Sequence, residues 1–316
     1  MNSPDSVSTA APNCPGCSTE SSFRGDLPTA YSFAGQAQGE PIAGGGLFEC
    51  PKCSLKFRWP TPSKEEHDQK HAEGNINQWQ NEVKRRRDWQ LTKEFFAKHP
   101  DRKSVLDVGC FDGQFLRYLG EDYDRYGVEV HSGAAERARS FGIDIIAADF
   151  AELAAIDQKF DFTVNMDVIE HTHDPLGFLK LLADRTTEGG FVIVSTGNSD
   201  APTWKFMGTR YWYCANAEHL SFINPTWCEF AARSLGLTVD TVFRFSHADL
   251  NQTLKQTAFF TRQGAANVVF KYLPQVWGRL RPATGCYGPR SLKERCESPP
   301  PWTSAKDHIF VAFQKT

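Results

Sequence analysis

The sequence predicts an α/β protein built on a doubly wound, mostly parallel sheet, with a small cysteine-bearing head before it. Three observations carry this expectation. From Lys103 onward, short apolar runs alternate with helical stretches, the pattern of strands covered by helices on both faces. The segment Asp107-Val108-Gly109-Cys110-Phe111-Asp112-Gly113 places glycines between a strand and a helix, where backbone can approach a ligand closely. Ahead of it stand two C-x2-C pairs, Cys14-Pro-Gly-Cys17 and Cys50-Pro-Lys-Cys53.

A chain of 316 residues is longer than one typical domain and can bury a sizeable core. Its 40% hydrophobic and 13% aromatic residues fit a folded globular protein and exclude disordered, collagen-like and coiled-coil classes. With Lys+Arg 35 against Asp+Glu 38 the net charge is −3, which argues against a surface made for nucleic acid or membrane. Residues 1–13 are small and polar without an apolar stretch, and read as a disordered tail rather than a secretory signal. No later run reaches the roughly 20 apolar residues of a membrane span. The expectation is a soluble, cytoplasmic protein, in which paired cysteines point to metal before disulfides.

Residues 14–60 form the head. Each C-x2-C pair sits on a turn containing proline, and two such turns aim four thiolates at one point. That donor set suits a structural zinc ion, with Cys14, Cys17, Cys50 and Cys53 as ligands at about 2.3 Å. The segment 18–49 is rich in Gly, Ser and Ala and has too few large apolar residues for a core. Metal binding then supplies folding energy, on the order of 10 kcal/mol. Cys110, Cys214, Cys228, Cys286 and Cys296 show no paired spacing and read as ordinary thiols.

Residues 61–100 read as a helical connector. Ile76, Trp79, Val83, Leu91, Phe95 and Phe96 recur at steps that lay one helical stripe on a core, and His99-Pro100 ends it. Lys84-Arg85-Arg86-Arg87 reads as the solvated face of that helix.

Residues 101–316 carry the sheet. Strands are expected at 104–108, 125–130, 143–147, 160–166, 190–195, 237–245 and 309–313, with helices at 113–119, 134–141, 176–185 and 226–235. A dinucleotide turn of the Gly-x-Gly-x-x-Gly type is broken by Phe111 and Gln114. Glu129 closes the second strand about 20 residues past Gly109, where a carboxylate accepts from both hydroxyls of a ribose. Asp149-Phe150 follows the third, placing an acceptor near an adenine amino group and a ring beside its face. Acids at these strand ends describe an adenosine site.

From Lys103 to Thr316 the chain resembles the class I S-adenosylmethionine-dependent methyltransferases. VLDVGCFDGQFL is similar to that family's first motif, with Asp107, Gly109 and Gly113 matching and Phe111 in place of the usual central glycine. GVEV supplies Glu129 and AADF supplies Asp149. FDFTVNMDVIEHTHDP and LLADRTTEGGFVIVSTGN resemble the ubiquinone-biosynthesis-like branch, through Glu170-His171 and Asp174-Pro175. Cys14 to Pro62 resembles the zinc head of methyltransferases that tailor sugars and natural products. The resemblance implies a Rossmann-like sheet of seven strands with the last antiparallel. It implies S-adenosyl-L-methionine held by Asp107, Gly109, Cys110, Phe111, Gly113, Glu129, Val130, Asp149, Phe150 and Met166, and Zn2+ held by the four cysteines.

Methyl transfer is an in-line displacement, so catalysis needs alignment and, for a hydroxyl acceptor, a base. His171, after the fourth strand, and His219, in Ala217-Glu218-His219-Leu220, are the candidates. The run Trp204 to Tyr213 reads as an acceptor wall with Lys205 and Arg210, as a lid packed on its own domain, or as both. The proline-rich insertion 274–306 carries five Arg and Lys from Arg279 to Arg295, and suggests an ordered cap or partner loop favouring an anionic acceptor, with disorder as the competing account. The expected activity is methylation of oxygen or carbon on a small molecule, a sugar or secondary metabolite, without nucleic acid or membrane as partner. An RNA methyltransferase docking through the zinc head, and a non-catalytic module that keeps the fold, are the alternatives.

Overall fold

The computed structural model describes residues 11–74, 86–246, 254–280 and 306–316. The expectations that fall on residues 1–10, on Ile76 to Arg85 and on residues 281–305 of the proline-rich insertion lie outside them. Residues 11–13, assigned above to a tail, are bonded into the head: Asn13 bridges Glu20, and the Ser21 N–H donates to the Pro12 carbonyl at 3.1 Å.

The head is more regular than its composition suggests. It contains β1 (Ser22–Asp26), β2 (Ala30–Phe33), β3 (Gln36–Ile42), β4 (Gly46–Glu49) and β5 (Lys56–Trp59). Three of them form the antiparallel run β1-β4-β5, while β2 and β3 pair as a separate ribbon. A helix, Lys64–Ala72, follows, capped by Ser63, whose hydroxyl accepts from the Glu66 N–H. A second, Arg87–Phe96, lays Leu91, Phe95 and Phe96 on the main core, as the stripe predicts. Phe96 stacks on Phe162 at 3.8 Å.

The main sheet contains β6 (Ser104–Val108), β7 (Asp124–Val128), β8 (Asp144–Ala147), β9 (Phe160–Met166), β10 (Thr186–Gly197), β12 (Leu237–Phe245) and β13 (His308–Lys315). Their order is β12-β13-β10-β9-β6-β7-β8. Neighbours from β10 through β8 pair in parallel, and β13 runs antiparallel to both β10 and β12. This is the doubly wound, seven-stranded sheet with a reversed last strand that the sequence predicts. The strands are apolar because helices cover both faces: Val105, Leu106, Val108, Val164, Ile193 and Val194 are all fully buried.

β11 (Ser221–Phe222) belongs to neither the main sheet nor the linker that carries it. It pairs with β5 and becomes the fourth strand of the head's sheet. Arg58 on β5 is buried and donates to the carbonyls of Gly44, Cys214, Asn216 and His219. Head and main body therefore share backbone hydrogen bonds across about 160 residues of sequence. The run Trp204 to Tyr213 packs into the same junction. Trp204, Tyr211 and Tyr213 are buried with Leu27 and Leu47 of the head, and Trp204 stacks on Tyr211 at 4.9 Å. Lys205 pairs with Asp200 and Arg210 lies over Phe270, so the run packs on its own domain, as one of its two readings expects.

Candidate active site

At the end of β6 the chain turns through Gly109, Phe111 and Gly113, all with positive φ of 83°, 50° and 76°. Gly113 must be glycine: it caps the helix Gln114–Leu119 in the left-handed region, and a Cβ there would lie 2.2 Å from Ile143. Phe111 tolerates the same region as a side-chain-bearing residue, which explains how it stands where a glycine is usual. The Gly109 and Cys110 N–H groups donate to the Val128 carbonyl at 2.9 and 3.1 Å, which locks the turn onto β7. The Cys110 thiol packs on Gly127, and burial raises it well above its ordinary range, so it is a neutral wall rather than a nucleophile.

Two buried carboxylates face this turn. Glu129, one residue past β7 rather than inside it, accepts from the Phe111 N–H at 2.9 Å on one oxygen and from the His131 N–H at 2.8 Å on the other. Each oxygen keeps lone-pair capacity for a ligand hydroxyl. Burial pushes Glu129 up to about 6, against the two backbone donors. Asp107 is 4% exposed, and its Oδ1 has no hydrogen-bond partner among the described residues. Burial, aided by the charge of Glu129, pushes it up to about 7, with Arg86 opposing. A buried carboxylate oxygen without a donor is costly unless a ligand completes it.

The other expected cofactor contacts line the same strand ends. Val130 is 42% exposed beside Glu129. Asp149 is exposed and caps the helix Phe150–Ala154, one oxygen accepting from Glu152 N–H at 2.8 Å. Phe150 leans on Phe178 at 4.7 Å, and Met166 ends β9, half-buried.

Beyond Met166, the backbone kinks at Asp167 (φ 54°), and Asp167 and Asp88 share Arg86 at 2.5 Å each. Arg86 is thus a bridge between the connector and the strand end, which corrects its reading as a solvated face. Burial works against its charge, but Asp167 and Asp88 hold it above its ordinary value. Glu170 is buried and accepts from Tyr213 and Thr196 hydroxyls at 2.5 and 2.8 Å. The two expected histidines come together: the rings of His171 and His219 are 5.0 Å apart. His171 donates from Nδ1 to the Glu218 carbonyl at 3.0 Å, and His219 from Nδ1 to the Tyr213 carbonyl at 3.0 Å. Burial lowers His171 to about 4 and His219 well below its ordinary value, so both are neutral imidazoles.

The four cysteines converge as their spacing predicts. All four sulfurs lie within 4.8 Å of one another, with Cys14 to Cys53 at 3.5 Å, Cys17 to Cys50 at 3.4 Å and Cys17 to Cys53 at 3.7 Å. A tetrahedron of thiolates at about 2.3 Å from zinc has edges of about 3.8 Å, whereas a disulfide would need about 2.05 Å. Tight turns make the geometry, with Ser18 and Ser54 N–H groups donating to the Cys14 and Cys50 carbonyls at 2.8 and 3.0 Å.

Sequence reasoning missed Asp167 and Thr196, which act through partners distant in sequence, Arg86 and Glu170. It also missed His67 and His71, although their spacing of four on a helix was a readable signal.

With the geometry in place, comparison with known proteins is informative. The profile of a family described as Methyltransferase domain matches residues 79–242, more than half of the chain. The ubiquinone biosynthesis O-methyltransferase of Parvibaculum lavamentivorans is 32% identical over 119 residues, 34% of this chain and 46% of that protein. The tRNA U34 carboxymethyltransferase of Alteromonas mediterranea is 30% identical over 125 residues, 34% of this chain and 37% of that protein. The matches thus span less than half the length of these curated relatives. A chain from the complex between the Haloferax volcanii Trm112 methyltransferase activator and a methyltransferase aligns with a TM-score of 0.50 at 15% identity, covering 80% of this chain and 99% of that one. At that identity the likeness concerns the fold alone.

Proposed function

The chain belongs to the methyltransferase-domain family, and from that premise we propose that it transfers a methyl group from S-adenosyl-L-methionine to an oxygen or carbon of a small molecule in the cytoplasm. The observation that carries this reading is the pair of buried acids at the glycine turn, Asp107 with an orphaned oxygen and Glu129 pinned by the Phe111 and His131 N–H groups. Two buried carboxylates suit a ligand that is both cationic and rich in hydroxyls. When bound, the cofactor supplies an electrophilic methyl group on a sulfonium ion.

In this reading Glu129 and Val130 border the ribose, Asp149 and Phe150 the adenine, and Gly109, Cys110, Phe111 and Gly113 form the backbone floor. Asp107 and Met166 face the methionine end. His171 and His219 serve the acceptor side, where protons are handled. The four cysteines hold a structural zinc ion, supported by their tetrahedral spacing. A sugar or secondary metabolite is the acceptor class, in line with the O-methyltransferase name of the curated relative. Incubation with labelled methyl donor and a fractionated cell extract tests it. Label is expected in a small molecule; label in RNA would move the acceptor class, and a chain that binds no S-adenosylmethionine would end the reading.

The acids also give a pH signature with two opposite signs. Asp107 has an ordinary value of 3.8 and stands at about 7 when folded, so folding takes up a proton between those values. The unliganded fold therefore gains stability as pH falls through that window, and loses it as pH rises towards 7. A cationic cofactor prefers the ionised acid, so its affinity should rise as pH rises through the same window and fall as pH falls. Thermal midpoints and calorimetric titrations across this range should move in opposite directions, and Asp107→Asn should flatten the stability slope. Parallel trends in the unmutated protein would contradict the assignment.

A further inference from the structure

A second cluster of metal-ligand side chains lies outside both the cofactor turn and the four-cysteine knot. His67 and His71 stand four residues apart on the helix Lys64–Ala72, so one turn puts them on the same face. That face meets the single turn of 3-10 helix Ile169–His171. Ring centroids are 4.6 Å apart for His67 and His71 and 4.8 Å apart for His71 and His171. One ring nitrogen from each of the three lies within 4.8 Å of the others.

Two of the three rings are oriented by a shared backbone acceptor. The Glu218 carbonyl accepts from His67 Nε2 at 3.1 Å and from His171 Nδ1 at 3.0 Å. A carbonyl can only accept, so those nitrogens carry the protons, leaving lone pairs on Nδ1 of His67 and Nε2 of His171. His71 Nε2 is buried and has no hydrogen-bond partner among the described residues. Such a nitrogen costs free energy as it stands, and a cation relieves it. Glu170, whose carboxylate lies within 4.8 Å of a His171 ring nitrogen, has its two oxygens engaged by the Tyr213 and Thr196 hydroxyls.

We propose that His67, His71 and His171 bind a divalent transition metal ion with a preference for imidazole, zinc foremost, as a centre separate from the four-cysteine knot. Nitrogen donors favour zinc and its first-row neighbours over magnesium or calcium. Zinc bonds of about 2.0–2.1 Å place tetrahedral nitrogens about 3.4 Å apart, within reach of small side-chain adjustments from the observed cluster. Three imidazoles supply protein ligands for such a centre, and His219 stands 5.0 Å from His171, ring to ring. The centre rests on the methyl-transfer reading in one respect: with His171 as a ligand, its one lone pair is spent on the metal, and proton handling on the acceptor side falls to His219.

The test uses the full chain, untagged, with zinc loaded at the cysteines and then titrated with Co2+ alone. One further equivalent is expected, with the absorption of nitrogen- and oxygen-ligated cobalt and no thiolate charge-transfer band, and Zn2+ should displace it. His67→Gln and His71→Gln should each weaken that binding at least tenfold. No further equivalent in the unmutated chain overturns the centre, as does binding undiminished in both variants. The unmutated titration decides even where a variant fails to fold. Calorimetry with S-adenosylmethionine on the same sample separates the two readings: intact cofactor binding without the extra equivalent defeats only the metal centre, and the extra equivalent without cofactor binding defeats only methyl transfer.

Discussion

Replacing Glu129 with glutamine is expected to weaken S-adenosylmethionine binding at least tenfold, about 1.4 kcal/mol, while the chain still folds. Both carboxylate oxygens accept backbone N–H groups, one from Phe111 and one from His131. An amide keeps only one accepting atom, so its NH2 group must face one of those N–H donors. The Phe111 N–H belongs to a residue at φ 50°, held in a region that side chains seldom adopt, and losing its acceptor loosens the floor of the site. The ligand loses a ribose acceptor at the same time. The fold should survive, because burial already disfavours the ionised form of Glu129. Calorimetry gives the affinity and circular dichroism the fold; an unchanged dissociation constant in a folded variant would remove Glu129 from the cofactor site.

The main sheet and the glycine turn at the end of its first strand were legible in the sequence for the same reason. Strands such as Ser104–Val108 and Phe160–Met166 are covered on both faces, so their apolar runs announce them, and the glycine turn is a local backbone demand. Glu129 follows from its place after such a strand. The head was legible at its four cysteines and not in its strands. β1 and β3 are largely exposed and polar, so no alternation marks them, and the sheet that holds β1 is completed by β11 from far down the chain. Arg86 sits in a basic run that reads as a solvated face, and only the fold reveals Asp167 beside it. Trp204 and Tyr211 suggested a wall for an acceptor because aromatic side chains suit both roles. The partners that settle their place, Leu27 and Leu47, belong to the head.

Stripping the head's metal is expected to destabilise the whole chain, not the head alone. Cys14, Cys50 and Cys53 are at most 2% exposed and lie in one hydrophobic cluster with Trp227, Leu106 and Val311 of the main body. Ser54 accepts a hydrogen bond from Asn224 at 2.8 Å, and Lys56 donates to the Ser199 carbonyl at 3.0 Å. β5 pairs with β11, and Arg58 satisfies carbonyls on both sides of the junction. Without zinc, four thiols crowd where thiolates belong, and burial already raises the Cys50 thiol. A structural zinc site contributes on the order of 10 kcal/mol to such a fold. If a few kcal/mol of that reaches the body, the melting midpoint drops by roughly 5 °C. Cys53→Ser, or chelation under reducing conditions, should therefore give one cooperative transition at lower temperature and one equivalent less zinc by metal analysis. Two transitions, the higher one unmoved, would show that head and body are thermodynamically separate, and that the hydrogen bonds across β5 and β11 carry little coupling.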